Sequence, residues 1–290
     1  MSFIAIDLDG TLLNEQNEIS EENIKAIQYA QDRGFEVVIS TGRAYFDVQT
    51  ICKRAGIVPL IIGTNGATIH SKDGKVLSSI TISKVRVESI LKWLDERDYY
   101  YEVFTNKAIY TLKKRREHFY QEIQSLKETD LDTDRKEVVA AAERQFEQFG
   151  YVLVENYHDI LKQEEEYFNI LACSFDQKKL AEGWNQFNMI DELRVVSSAD
   201  HNIEITNKRA SKGNALEKLT FMMNGSLEQS MAIGDSNNDL SMFEKVRHSV
   251  AMGNAKDDIK AVCTTTTLKN IDNGVAHAIY RYIENFVVHK

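Results

Sequence analysis

The sequence predicts an α/β protein whose doubly wound parallel-sheet core is interrupted by an inserted α+β domain. Three observations support this prediction. Apolar strand patterns alternate with amphipathic helix patterns in the first and last thirds of the chain. In the middle third the strand patterns come in neighbouring pairs. Three of the strands predicted in the first and last thirds are followed at once by small and polar residues. We therefore expect a Rossmann-like core from residues 1–82 and 207–290, with residues 83–206 forming the inserted domain.

The first third reads as strands separated by helices, the spacing of βαβ units. Ser20 is the expected N-cap of the first helix, because acidic residues follow it in the first turn. The predicted strands cover 3–6, 35–39 and 60–62, the predicted helices cover 21–33 and 44–55, and a hairpin follows over 67–70 and 76–82.

The middle of the chain favours an antiparallel sheet, and the last third returns to alternating elements. In the middle, the predicted strand pairs are 99–104 with 108–112 and 194–198 with 202–206. In the last third, helices are expected over 212–223, 240–245 and 272–286, and strands over 230–233 and 249–252.

Composition narrows the classes of function. The net charge of -9 disfavours nucleic acid and anionic membranes as partners. The three cysteines are far apart, so reduced thiols are expected rather than disulfides or a zinc site. No run approaches the ~18 apolar residues that a membrane helix needs, and no signal-peptide pattern opens the chain. We therefore expect a cytoplasmic protein.

The polar residues after three apolar strands carry the candidate chemistry. In open α/β sheets, ligands bind outside the carboxyl ends of the strands, so side chains that follow adjacent strands converge on one crevice. Several acids can share that crevice only around a cation, and oxygen ligands favour Mg²⁺. The converging side chains are Asp7, Asp9, Thr41, Asp235, Asn238 and Asp239.

Residues beside these acids suit a phosphate ligand. Glycines allow the backbone to approach a ligand and expose its N–H groups. Hydroxyl groups follow two of the strands, and a lysine at a helix start provides a counter-charge. The glycines are Gly10, Gly42 and Gly234, the hydroxyl residues are Thr11 and Thr41, and the lysine is Lys212.

Four motifs together resemble the haloacid dehalogenase superfamily of phosphatases. They are D-x-D-G-T at 7–11, S-T-G-R at 40–43, S-K-G at 211–213 and G-D-S-x-N-D at 234–239. Their order matches the family, and the long insertion between the second and third is similar to the α/β cap of its Cof-type branch. The intervals extend the resemblance over the whole chain.

The resemblance implies a role for each matching residue. Asp7 would be the nucleophile that becomes an aspartyl-phosphate, and Asp9 would be the acid and base, protonated at the start. Mg²⁺ would be held by Asp7, the backbone carbonyl of Asp9, and Asp235. The implied phosphate-binding residues are Leu8, Thr41, Gly42, Lys212 and Asn238, and the implied supporting residues are Thr11, Ser40, Arg43 and Asp239.

Plainer interpretations compete for individual residues. Asp7 and Asp9 could form a solvated turn, Thr41 could be a helix N-cap, and Lys212 could lie on the surface. Arg43 could contact the cap or the substrate, or form a structural salt bridge. The segment 64–67 resembles part of the family's active-site mouth, but a tight turn in which Asn-Gly adopts positive φ is the favoured interpretation.

Three functions remain open from the sequence. A Mg²⁺-dependent phosphatase acting on small phosphorylated metabolites is favoured. A phosphomutase would use the same aspartyl-phosphate chemistry, and a phospho-accepting or metabolite-sensing switch would share the acids, the threonine and the lysine. We expect a monomer or a small homo-oligomer; the motifs do not identify the substrate.

Overall fold

The computed structural model describes residues 1–127, 136, 139–140, 142–143, 145–146 and 148–288. The chain divides into two compact units, Met1–Ser79 with Ala210–Lys290, and Ile80–Arg209. The functional division into a catalytic core and a cap, with its expected junctions after residues 82 and 206, stays a prediction. No helix within the described residues combines the length and the apolar character needed to cross a bilayer.

The described strands and helices alternate along the first unit, as the sequence predicts. The strands are β1 (Ser2–Ile6), β2 (Phe35–Ser40), β3 (Leu60–Gly63), β4 (Thr68–His70), β5 (Val76–Ser79), β6 (Tyr100–Thr105), β7 (Ile109–Leu112), β8 (Tyr151–Val154), β9 (Tyr167–Cys173), β10 (Leu193–Val196), β11 (Asn202–Asn207), β12 (Met231–Gly234), β13 (His248–Ala251) and β14 (Thr265–Thr266). The helices are α1 (Glu21–Asp32), α2 (Tyr45–Arg54), α3 (Lys84–Asp95), α4 (Lys113–Lys127), α5 (Tyr157–Leu161), α6 (Gln177–Asn188), α7 (Lys212–Met222), α8 (Leu240–Phe243), α9 (Asp257–Val262) and α10 (Gly274–Val288).

The sheet of the first unit confirms the predicted doubly wound architecture. Its strand order is β14-β13-β12-β1-β2-β3-β4-β5, in which β14 through β3 pair in parallel and the β3-β4-β5 end is antiparallel. The chain runs outward from β1 to β3 and later outward from β12 to β14. The point where the order reverses therefore lies between β1 and β12, where such folds bind ligands.

Alternation along β1 explains why helices cover both faces of this sheet. Ile4 and Ile6 pack in one apolar cluster with α1 and α10, whereas Phe3 and Ala5 pack in a second cluster with α7 and α8. All four side chains are fully buried. A strand buried on both faces reads as a continuous apolar run, which is the pattern that opens the sequence.

The second unit contains a six-stranded sheet of order β10-β11-β9-β6-β7-β8. The two predicted strand pairs are confirmed, because β6 pairs with β7 and β10 pairs with β11, both antiparallel. The sheet departs from the expected antiparallel pairing at one edge, where β7 and β8 run parallel. Strand β9, which lies between both pairs and is buried throughout, has no counterpart in the sequence prediction.

Candidate active site

Two acids meet at the reversal point because they end neighbouring parallel strands. Ile6 of β1 lies in register with Ile233 of β12, and the backbone N–H of Asp7 donates to the Ile233 carbonyl at 2.9 Å. The carboxylates of Asp7, Asp235 and Asp239 offer oxygens that all lie within 4.8 Å of one another. The predicted convergence of these acids is therefore observed.

Lys212 is buried among these acids. Its Nζ donates to Oδ1 of Asp7 at 2.5 Å and to Oδ1 of Asp239 at 2.6 Å. The Lys212 side chain has no solvent exposure, so the alternative of an ordinary surface lysine is wrong. Burial acts to lower the pKa of Lys212, but the charges of Asp239 and Asp7 outweigh it and raise that pKa.

The cluster contains more acid than its lysine can neutralise. Burial and the charge of Asp239 raise the pKa of Asp7 to about 7, although Lys212 opposes the shift. Burial and the charges of Asp7 and Asp239 raise the pKa of Asp235 well above its usual range. Such crowding favours a cation as the missing partner, and carboxylate oxygens suit Mg²⁺.

Both carboxylate oxygens of Asp239 accept hydrogen bonds from other groups of the protein. One of its oxygens accepts from Lys212, and the other accepts from the backbone N–H groups of Asp235 at 2.9 Å and Ser236 at 3.1 Å. This carboxylate therefore orients Lys212 and the loop after β12. Asp7 and Asp235 are the better placed of the three to bind a cation.

The loop after β1 turns back toward Asp235. Leu13 N–H donates to the Leu8 carbonyl at 2.9 Å, and the Leu8 side chain is fully buried. Gly10 has φ +76°, and a Cβ there would lie 2.5 Å from an oxygen of Asp235. The Thr11 hydroxyl donates to Asp235 at 3.1 Å. A glycine is required at residue 10 because backbone and carboxylate approach so closely.

Asp9 points to a different partner from Asp7. Arg43 Nε donates to Oδ2 of Asp9 at 2.8 Å, and its Nη2 donates to Oδ1 at 2.6 Å. The third arm of the guanidinium, Nη1, donates to Asp47 at 2.9 Å. Among the alternatives for Arg43, the structure shows the salt bridge. The expected initial proton on Asp9 stays a prediction.

The loop after β2 contains a hydrogen bond between a side chain and the backbone. Thr41 Oγ1 accepts from the Arg43 N–H at 3.2 Å, while Gly42 is partly exposed between them. Helix α2 begins at Tyr45 with Ala44 as its N-cap residue, so the alternative of Thr41 as N-cap is wrong. Ser40 is buried, and its hydroxyl has no hydrogen-bond partner among the residues that the structure describes.

The segment 64–66 confirms the tight turn and also contacts the site. Thr64, Asn65 and Gly66 have φ of 48°, 54° and 88°. The Asn238 amide donates to the Asn65 side-chain carbonyl at 3.1 Å. A Cβ on Gly66 would lie 2.1 Å from the Ser211 carbonyl oxygen, at the start of the helix that carries Lys212.

Two contacting residues were missed from the sequence. Asp47 contacts Arg43, and the Asn254 amide donates to the Gly10 carbonyl at 2.8 Å. Asn254 follows β13 within Met-Gly-Asn, so the pattern of polar residues after an apolar strand could have identified it. Asp47 lies inside a helix and carries no such signal.

Comparison with known proteins agrees with this geometry. Residues 4–279 match the family of haloacid dehalogenase-like hydrolases. Phosphatase YwpJ of Bacillus subtilis is 44% identical over 279 residues, which cover 96% of this chain and 98% of that protein. The 5-amino-6-(5-phospho-D-ribitylamino)uracil phosphatase YwtE of the same organism is 36% identical, with 96% and 97% covered.

Solved structures give the same assignment. A haloacid dehalogenase-like hydrolase from B. subtilis superposes with a TM-score of 0.87 at 43% identity, covering 97% of this chain and 99% of that one. Since the family match spans most of the sequence and the four motifs meet in one crevice, the chain belongs to the haloacid dehalogenase-like hydrolases.

Proposed function

We propose that this protein is a Mg²⁺-dependent phosphatase that hydrolyses small phosphorylated metabolites through a phosphorylated Asp7. The observation that carries the proposal is the buried cluster of Asp7, Lys212, Asp239 and Asp235 at the reversal point of the sheet. A nucleophile, a cation and a metal-binding acid are brought together there. The names of its relatives support a phosphate ester as the substrate.

The residues present fit a magnesium ion. Asp7 and Asp235 are adjacent carboxylates whose pKa values are raised by burial and by neighbouring acids, and a divalent cation would relieve both effects. These two side chains and the Asp9 backbone carbonyl would hold the ion. Bound there, it would neutralise negative charge on the carboxylates and on the phosphate.

In the first step, a carboxylate oxygen of Asp7 attacks phosphorus while the bond to the leaving-group oxygen breaks. Lys212 donates to Oδ1 of Asp7, so it orients this carboxylate and offsets its repulsion from the anionic phosphate. Asp9 gives its proton to the leaving oxygen. The products are an alcohol and the aspartyl-phosphate.

In the second step, water attacks phosphorus of the aspartyl-phosphate and the bond to the Asp7 oxygen breaks. Asp9 takes the proton that the water loses and returns to its starting state. Thr41, the backbone amides of Gly42 and Leu8, and Asn238 would bind the phosphoryl oxygens in both steps. Ser40, whose buried hydroxyl lacks a partner among the described residues, would support this site.

Phosphate release tests the proposal. We expect purified protein to release inorganic phosphate from members of a metabolite library with Mg²⁺ and not with EDTA. Asp7→Asn should lower kcat at least ~10³-fold, since it removes the nucleophile. The exposed Asp191, which pairs with Lys208 on the surface, provides the matched control Asp191→Asn, and this variant should keep full activity.

Two results would contradict the proposal. Turnover of Asp7→Asn at the rate of the unsubstituted protein would remove Asp7 as nucleophile. Conversion of a sugar 1-phosphate to its isomer, without free phosphate, would identify a phosphomutase.

Acid-quenched protein analysed by mass spectrometry should carry phosphate on Asp7 only while substrate is being turned over.

A further inference from the structure

The guanidinium group of Arg43 binds two carboxylates, those of Asp9 and Asp47. Its Nε and Nη2 bind both oxygens of Asp9, at 2.8 and 2.6 Å, in a two-pronged contact. Its Nη1 binds Oδ2 of Asp47 at 2.9 Å. All three arms of the guanidinium group are thus engaged, and the plane of the group is defined by contacts on two sides.

The two carboxylates differ in exposure. The Asp9 side chain is 49% exposed, whereas those of Arg43 and Asp47 are 6% and 5% exposed. Asp47 lies in the first turn of α2, four residues after Arg43. Asp47 is therefore the buried end of the chain of contacts, and Asp9 is the end that faces solvent.

We propose that Asp47 is a positioning residue of the phosphatase: it holds Arg43 so that the guanidinium group presents two donors to Asp9. The proposal rests on the proposed function, in which Asp9 transfers the proton. A half-exposed aspartate on a turn can adopt several rotamers, and a two-pronged contact selects one of them. Because misplacement of a reacting group by about 1 Å can cost ~10²-fold in rate, the support behind Arg43 affects turnover.

Reactions whose leaving group needs a proton from Asp9 should be slowed most when Asp47 is substituted. An alkyl phosphate has a poor leaving group, which needs a proton from Asp9 as the bond breaks, whereas para-nitrophenolate leaves without one. Asp47→Asn keeps the size of the side chain and removes its charge. We expect kcat/KM, which reports the steps up to departure of the leaving group, to fall about 10- to 100-fold for a primary alkyl phosphate and less than ~3-fold for para-nitrophenyl phosphate.

A second variant and a control separate positioning from general damage. Arg43→Lys keeps the charge but loses the two-pronged contact, so it should show the same dependence on the leaving group. Combined with Asp47→Asn it should add little further loss, since both act through one contact. Glu36, a partly exposed acid of β2 that pairs with Lys72, provides the control Glu36→Gln, which should keep both activities.

A readout without turnover tests the same contact. The Nε proton of Arg43, bound to Asp9, should exchange slowly with solvent in ¹⁵N NMR spectra of the unsubstituted protein and quickly in Asp47→Asn. Unchanged exchange, or equal losses of kcat/KM for both substrates, would overturn the positioning role of Asp47. If the unsubstituted protein hydrolyses neither ester, the proposed phosphatase fails instead, and the exchange rate still decides whether Asp47 holds Arg43.

Discussion

At the scale of single residues, excess negative charge dominates the site. Asp7, Asp235 and Asp239 are clustered around the buried ammonium group of Lys212, which forms ion pairs with Asp7 and Asp239. The raised pKa values of Asp7 and Asp235 express this imbalance. We therefore expect the folded protein to take up protons, or a metal ion, that the unfolded chain does not bind.

This imbalance predicts opposite pH trends with and without Mg²⁺. Without metal, Asp7 binds a proton in the folded state up to about pH 7, so we expect its contribution to stability to be greatest below its unperturbed pKa of 3.8 and to be lost as the pH rises toward 7. Mg²⁺ must displace those protons, so the increase in Tm that it causes should be larger at about pH 8 than at about pH 6. Thermal melts in EDTA and in MgCl₂ measure both trends.

Asp235→Asn is the informative variant for this prediction. It removes one of the crowded charges, so the metal-free variant should be more stable than the metal-free parent at about pH 8. It should also lose the Mg²⁺-induced increase in Tm. An equal Tm increase at both pH values in the parent would contradict proton displacement from these acids.

Gly10 offers a second test at this scale. Gly10→Ala should lower activity at least ~10-fold, because the new Cβ would collide with Asp235, in addition to a backbone strain of about 1 kcal/mol at φ +76°. Gly34 is a matched control with φ +81° and no atom within 4 Å of its Cβ position. Gly34→Ala should show a similar strain in urea denaturation and full activity; equal activity losses would refute the collision.

At the scale of elements, helix α1 shows how a local signal is reinforced by distant contacts. The Ser20 hydroxyl accepts from the Asn23 N–H at 3.2 Å, as the predicted N-cap, and donates to Asn273 at 2.7 Å. The Asn23 side chain accepts from the Ala276 N–H at 2.9 Å, within α10. The cap thus ties the start of α1 to the start of the last helix.

Ser20→Ala is expected to reduce the free energy of unfolding by about 1 kcal/mol, the usual cost of a lost N-cap. Urea denaturation followed by circular dichroism measures this change. Ser20→Thr keeps the hydroxyl and should recover most of it. Equal stability of the alanine variant and the parent would show that the cap bond contributes nothing here.

At the scale of the whole molecule, the apolar cores follow the two units. Two clusters lie on opposite faces of the first sheet, represented by Ile4 and Phe3, and a third belongs to the second unit, represented by Ile170. Every residue of the candidate site belongs to the first unit. Metal binding should therefore stabilise one unit more than the other.

Hydrogen exchange of the intact protein tests this expectation. Addition of Mg²⁺ should slow amide exchange in β1, β12 and the loops that follow them, because bound ligand stabilises the structure that holds it. Amides of β6 and β9 should exchange at unchanged rates. Asp235→Asn should abolish the difference, and equal slowing throughout both units would contradict it.

The alternating elements, the parallel core and the family all follow from patterns in the sequence. Short apolar runs, each followed by small and polar residues, carry this information locally, which is why the sequence alone predicts Asp7, Thr41, Lys212 and Asp235. Strand β9 was missed, since a short apolar run does not distinguish a central strand from a buried helix segment.

The contacts that support the site form only when the chain folds. The contact of Asp47 with Arg43, that of Asn65 with Asn238 and the approach of Gly66 to Ser211 are side-chain or packing contacts. The last two join residues more than a hundred positions apart, so no local pattern records them. Asp47 is near Arg43 in sequence, yet its importance depends on Asp9, which reaches Arg43 only when β1 and β2 pair in the sheet.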